Sequence, residues 1–139
     1  MKGVLFMTTV RIIQWVAGLA GLAALVLGLL IWFANIDFIN IHMLLGLIVA
    51  LSLLVLGIIA VFTRGLRVLG AVGIVYALIV PAFGLTQSTM LIGNLHWLIQ
   101  TAHLLVGLGA LALIGIIGAR YLRLKTAATK ATTPQTIAP

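Results

Sequence analysis

The sequence has no cysteine and a single acidic residue, Asp37, among its 139 positions. Without cysteine there can be no disulfides, iron–sulfur clusters, thiolate zinc sites or covalent c-type haem attachment. One carboxylate has no partner for paired-carboxylate catalysis. It also offers too few hard oxygen ligands for calcium and no relay for carboxylate-driven antiport. Charge of any sign is scarce, at 6% of residues against 64% hydrophobic. A soluble domain of this size could not cover its surface with so few charges. The composition therefore implies a polytopic membrane protein of one compact domain, in contact with the lipid bilayer.

The charges that do occur are mostly basic, giving a net +7. Lys2, Arg11, Arg64, Arg67, Arg120, Arg123, Lys125 and Lys130 fall at the ends and turns of apolar segments. That is a topology signal rather than a stripe for nucleic acid, so no nucleic-acid partner is expected. A span needs about 20 apolar residues at 1.5 Å rise. Four segments qualify, at 12–33, 40–62, 67–86 and 95–119. Short connections make neighbouring helices antiparallel, which predicts an all-α, up-down-up-down four-helix bundle over 1–123. The first segment is longer than a signal-peptide core and lacks a clear cleavage site, so it reads as a retained helix.

All eight Lys and Arg lie on the side of the N-terminus, the 63–66 turn and the C-terminal tail. The opposite side holds 34–39 and 87–94, with Asp37 and no basic residue. The positive-inside rule then places both termini in the cytoplasm of a bacterial-type inner membrane. Trp32, Phe33, Phe38 and Trp97 mark the outer interface and Trp15 the inner one. The Thr-rich stretch 124–139 reads as a disordered cytoplasmic tail. Ala17, Gly18, Gly21, Ala24 and Gly28 in the first segment, and Gly70, Gly73 and Ala77 in the third, read as close-packing positions. Pro81 is expected to bend or end the third helix, and Gln14 to act as interhelical glue.

Two histidines stand out within the apolar segments. His42 opens His-Met-Leu-Leu-Gly-Leu and, 61 residues later, His103 opens His-Leu-Leu-Val-Gly-Leu, a weak repeat. Intramembrane histidine is costly and points to function. Alternate helices of the bundle run parallel, so both rings approach from one membrane side and suit two axial ligands of one haem. Gly46 and Gly107 share the faces of their histidines, one turn further on, where a porphyrin edge needs the backbone to recede. By depth along the helices, His42 can pair with His103 or with His96. His96 lies two turns before His103 on the same face and suits a propionate contact, a substrate entrance or the headgroup region. Gln100 shares this face and suits a hydrogen bond to an imidazole.

Four helices with histidines on the second and fourth resemble one half of heme A synthase and, more loosely, small b-type membrane cytochromes. The resemblance covers roughly residues 10–122 and rests on His42 and His103 with Gly46 and Gly107. It implies that His42 and His103 are axial haem ligands near the outer side. The synthase carries a glutamate one turn before the second-helix histidine, where this sequence has Ile39, and it has two such bundles per chain. Haem ligation therefore carries over and oxidation of the haem methyl group does not. The small multidrug exporters share the helix count but depend on a glutamate in helix 1 that is missing here. The sequence leads to a b-type haem protein working in electron transfer, with a quinone or respiratory-chain partner, or in haem handling. Self-association as a homo-oligomer is open to such a glycine-rich bundle. Whether it is an enzyme is left open. The alternative is a cofactor-free accessory or assembly subunit; a channel or small-solute transporter ranks last because pathway charges are missing.

Overall fold

The computed structural model describes the backbone over 2–132 and side chains over 5–131. Four helices account for nearly all of it: α1 (Lys2–Ala34), α2 (Ile39–Val61), α3 (Arg67–Thr86) and α4 (His96–Thr132), with one short 3-10 turn at Gln87–Thr89. No strand occurs among the described residues. Each helix is long and apolar enough to cross a membrane, and the all-α four-helix bundle is the architecture expected.

The connections are set by turn residues. Asn35 (φ 53°) turns the chain out of α1, and Gly65 (φ 86°) closes the turn between α2 and α3. The stretch before α4 holds Leu91 (φ 46°) and Gly93 (φ 94°) in the left-handed region, where a β-carbon is disfavoured.

Helix packing follows the small residues. α2 touches α1, α3 and α4, whereas α1 and α3 make no contact among the described residues. α2 and α4 thus lie on the short diagonal. The tightest crossing is α2 on α3: a Cβ added at Gly70 would stand 2.7 Å from the Gly57 carbonyl oxygen and 2.9 Å from the Ala60 carbonyl carbon. Such backbone-to-backbone approach is how helices associate when lipid removes the hydrophobic drive. Gly73 and Ala77 are buried beside it, and Ala17 is buried on α1. Gln14 reaches from α1 to the Ile114 and Gly115 carbonyls of α4, each at 3.4 Å, over the space left by Gly118. It is the interhelical tie the sequence suggested. Tyr76 of α3 donates to the Val106 carbonyl of α4 at 3.1 Å, over the space left by Gly109.

The core is narrow, with Leu53, Leu56, Ile117 and Val10 as its largest fully buried side chains. The perimeter is apolar: Trp15, Phe33, Leu19 and Leu78 are each more than 60% exposed. Water would not tolerate so continuous a surface, but hydrocarbon does. Trp15, Phe33, Phe38 and Trp97 all point outward.

Three expectations need correction. The last helix does not stop at 119, and 124–132 is not a disordered tail: α4 continues to Thr132. Residues 120–131 are rich in Ala, Leu, Lys and Arg, which are strong helix formers, and extending an existing helix needs no new nucleus. The part of the expected tail at 133–139 lies outside the described residues. Of the two outcomes expected of Pro81, bending or ending α3, the second does not occur, since the helix runs five residues beyond it. Gly18 is not a packing position, because it is exposed and an added Cβ would meet nothing within 4 Å.

α1 and α4 also exceed what a bilayer requires. At 33 and 37 residues they reach about 50 and 55 Å, against a hydrocarbon core of about 30 Å. The excess projects from one end only, where the basic residues gather. There Tyr121 is buried and carries the Lys125 ammonium over its ring at 5.6 Å.

Candidate functional site

At the opposite end, the end without Lys or Arg, α2 and α4 begin while α1 and α3 finish. His42 lies in the first turn of α2 and His103 in the second turn of α4. The parallel run of these two helices brings the rings together, with centroids 6.0 Å apart and planes inclined by 56°. Of the two pairings open from depth, the structure forms His42 with His103.

His42 is held from α1. Its Nδ1–H donates to the Ala24 carbonyl oxygen at 2.9 Å. A carbonyl can only accept, so the neutral ring has its proton on Nδ1 and a lone pair on Nε2. Gly28, one turn after Ala24, gives the ring its place: a Cβ there would come within 3.1 Å of His42 Cε1. His103 is held differently. Phe83 of α3 stacks on it at 6.0 Å and 22°, and a Cβ at Gly84 would touch its Cε1 at 3.4 Å, ordinary contact. Among the described residues His103 Nδ1 is the one buried side-chain nitrogen or oxygen with no hydrogen-bond partner. An orphaned polar atom of this kind costs about 1–3 kcal/mol.

Gly46 and Gly107 behave unlike the packing glycines. Both are half-buried, yet a Cβ at either meets nothing within 4 Å. Helix–helix packing therefore does not explain them, and open space lies one turn beyond each histidine.

His96 and Gln100 stay apart from the pair. His96 Nδ1–H donates to the Met90 carbonyl at 3.2 Å and so ties down the strained stretch that leads into α4. The Gln100 side chain forms no hydrogen bond among the described residues and does not serve either imidazole. The supporting role falls instead to the Ala24 carbonyl. Sequence reasoning missed this group, because a backbone acceptor has no residue-type signature; the only trace was the small-residue run in the first segment.

Haem can be tested against these residues. Imidazole–metal bonds of about 2.0–2.1 Å place two opposed nitrogens about 4 Å apart, and half a ring on each side adds about 2 Å. The 6.0 Å between the His42 and His103 centroids is of that size. No cluster of three or more His, Cys, Asp or Glu forms among the described residues, so a metal held by protein ligands alone has no cage. A porphyrin brings its own equatorial nitrogens and asks the chain for only two. His42 and His103 are the two imidazoles that could meet that requirement.

Comparison with known proteins gives no further anchor: no family model, curated protein or solved structure matches this chain.

Proposed function

We propose that this is an integral membrane haem b protein with His42 and His103 as axial ligands, serving electron transfer or haem handling. The observation that carries the reading is the His42–His103 pair, with ring centroids 6.0 Å apart, inside an apolar bundle. The chain's own residues do four things. The Ala24 carbonyl fixes the tautomer that leaves His42 Nε2 free to ligate. His103 supplies the second nitrogen. Gly46 and Gly107 leave room for the macrocycle. The surrounding apolar helices keep water out and lower the local dielectric, which tunes a redox potential. Haem, when bound, would supply one-electron exchange, with His42 and His103 holding it.

The basic end faces the cytoplasm by the positive-inside rule, so both termini are cytoplasmic in a bacterial-type plasma membrane. The histidine pair then sits toward the outer face, and a quinone or respiratory partner meets the centre there. The test is a dithionite-reduced minus oxidised spectrum of the detergent-purified chain, with a pyridine haemochrome for stoichiometry. A sharp low-spin b-type α-band at close to one haem per chain is the expected result. A flat spectrum after expression with ample haem overturns the proposal and leaves a cofactor-free accessory subunit.

A further inference from the structure

We infer that the two histidines are unequal ligands, His42 fixed and His103 exchangeable, so that the His103 side of the centre is a binding position for a small neutral molecule of the diatomic class. The inference rests on the haem reading above and goes beyond it, since a saturated electron-transfer centre has no such position.

His42 is constrained at two points. Its Nδ1–H is bonded to the Ala24 carbonyl at 2.9 Å, and its Cε1 edge lies in the notch at Gly28. The notch and the bond belong together. Ala24 and Gly28 are four apart on one helix, so a side chain at 28 would stand over the carbonyl that His42 reaches. A ligand histidine whose second nitrogen donates to a carbonyl is oriented and made more basic, and loss of such a partner is worth about 10–100-fold in metal affinity.

His103 has no counterpart of this support. Neither of its nitrogens is hydrogen-bonded among the described residues, and Nδ1 is sealed from solvent. Whichever nitrogen faces a metal, the other has no acceptor. Its neighbours, the Phe83 ring and Gly84, offer it packing contact but no hydrogen-bond acceptor. Coordination on this side is the weaker and opens first.

The surroundings set the class of the incoming molecule. α1 presents Ala24 and Gly28, α2 His42, and α3 Phe83 and Gly84. None of these carries a fixed charge. Every Lys and Arg lies at the far end of the bundle, and Asp37 is exposed on the connection between α1 and α2. An anion entering here would be desolvated without a counter-charge, whereas a neutral diatomic suffers no such penalty.

The experiment uses the full chain, haem-loaded in detergent, as wild type, His42→Ala and His103→Ala, with carbon monoxide as the probe. Wild type without a haem spectrum overturns the haem reading, and this inference with it. Given a wild-type spectrum, His103→Ala is expected to keep close to one haem per chain, lose its low-spin band and bind carbon monoxide. His42→Ala is expected to retain about tenfold less haem or lower still, following the value of the carbonyl partner. Equal loss in both variants, or better retention by His42→Ala, overturns the asymmetry. If either variant fails to accumulate, ferrous wild type titrated with carbon monoxide decides the matter. Saturable binding of one carbon monoxide per haem supports exchange at His103 when Gly28→Val, which disturbs the His42 side, lowers haem retention more than Gly84→Val. No spectral change at saturating carbon monoxide, or the reverse order of the two valine variants, overturns it.

Discussion

At the scale of single residues, the glycines divide into those that let helices touch and those that leave space. Gly70 is of the first kind, since its missing Cβ is replaced by the backbone of α2. Gly46 and Gly107 are of the second, half-buried beside nothing. Substitution should separate them. Gly70→Leu is expected to cost at least the roughly 1–3 kcal/mol of ordinary overpacking, because backbone cannot yield as a side chain does, and to give polydisperse protein on size exclusion. Gly46→Leu and Gly107→Leu are expected to leave the haem-free bundle within about 0.5 kcal/mol of wild type while reducing haem retained per chain. Unfolding in detergent together with haemochrome stoichiometry reads both effects. Destabilisation by Gly46→Leu equal to that of Gly70→Leu would show that packing, rather than a recess, keeps glycine there. In the sequence all these glycines look alike, because what distinguishes them is the atom on the neighbouring helix.

At the scale of elements, the reading from sequence succeeded where hydrophobicity decides and failed where it does not. The four spans were legible because each is a run of apolar residues bounded by charge or polar turns. The end of α4 was not, since 120–132 mixes helix-forming residues with threonines and has no apolar partner to announce it. His42 and His103 were legible as ligand candidates from their matching contexts. Depth alone left His96 open beside His103, because a seven-residue spacing keeps both on one face, and the fold ties His96 to the Met90 carbonyl. The projecting part of α4 beyond Arg123 is exposed through residue 131, so it adds little to the bundle. A chain ending after Arg123 is expected to insert, elute and melt as wild type, within about 0.5 kcal/mol. A large drop in melting temperature in a fluorescence-detected stability assay would show that the projection braces the bundle.

At the scale of the whole molecule, charge lies at one end and the histidine pair at the other, so orientation decides which compartment the site serves. A chain without cysteine is well suited to measuring this. Ser88→Cys lies on the connection before α4 and Thr126→Cys on the projecting end of α4, both exposed. With a membrane-impermeant maleimide on intact cells, Ser88→Cys is expected to be labelled and Thr126→Cys to react only after permeabilisation. The opposite pattern would turn the molecule over and place the site on the cytoplasmic side. The contact map has a further consequence, for biosynthesis. Each histidine rests against the helix that precedes its own in the chain, His42 on α1 and His103 on α3. With 61 residues from one histidine to the other, a ribosome adding about 5–20 residues per second completes the second some 3–12 s after the first. Until α3 and α4 have entered the membrane, α1 and α2 hold half a site, so the order of translation makes closing the pair a late act of assembly.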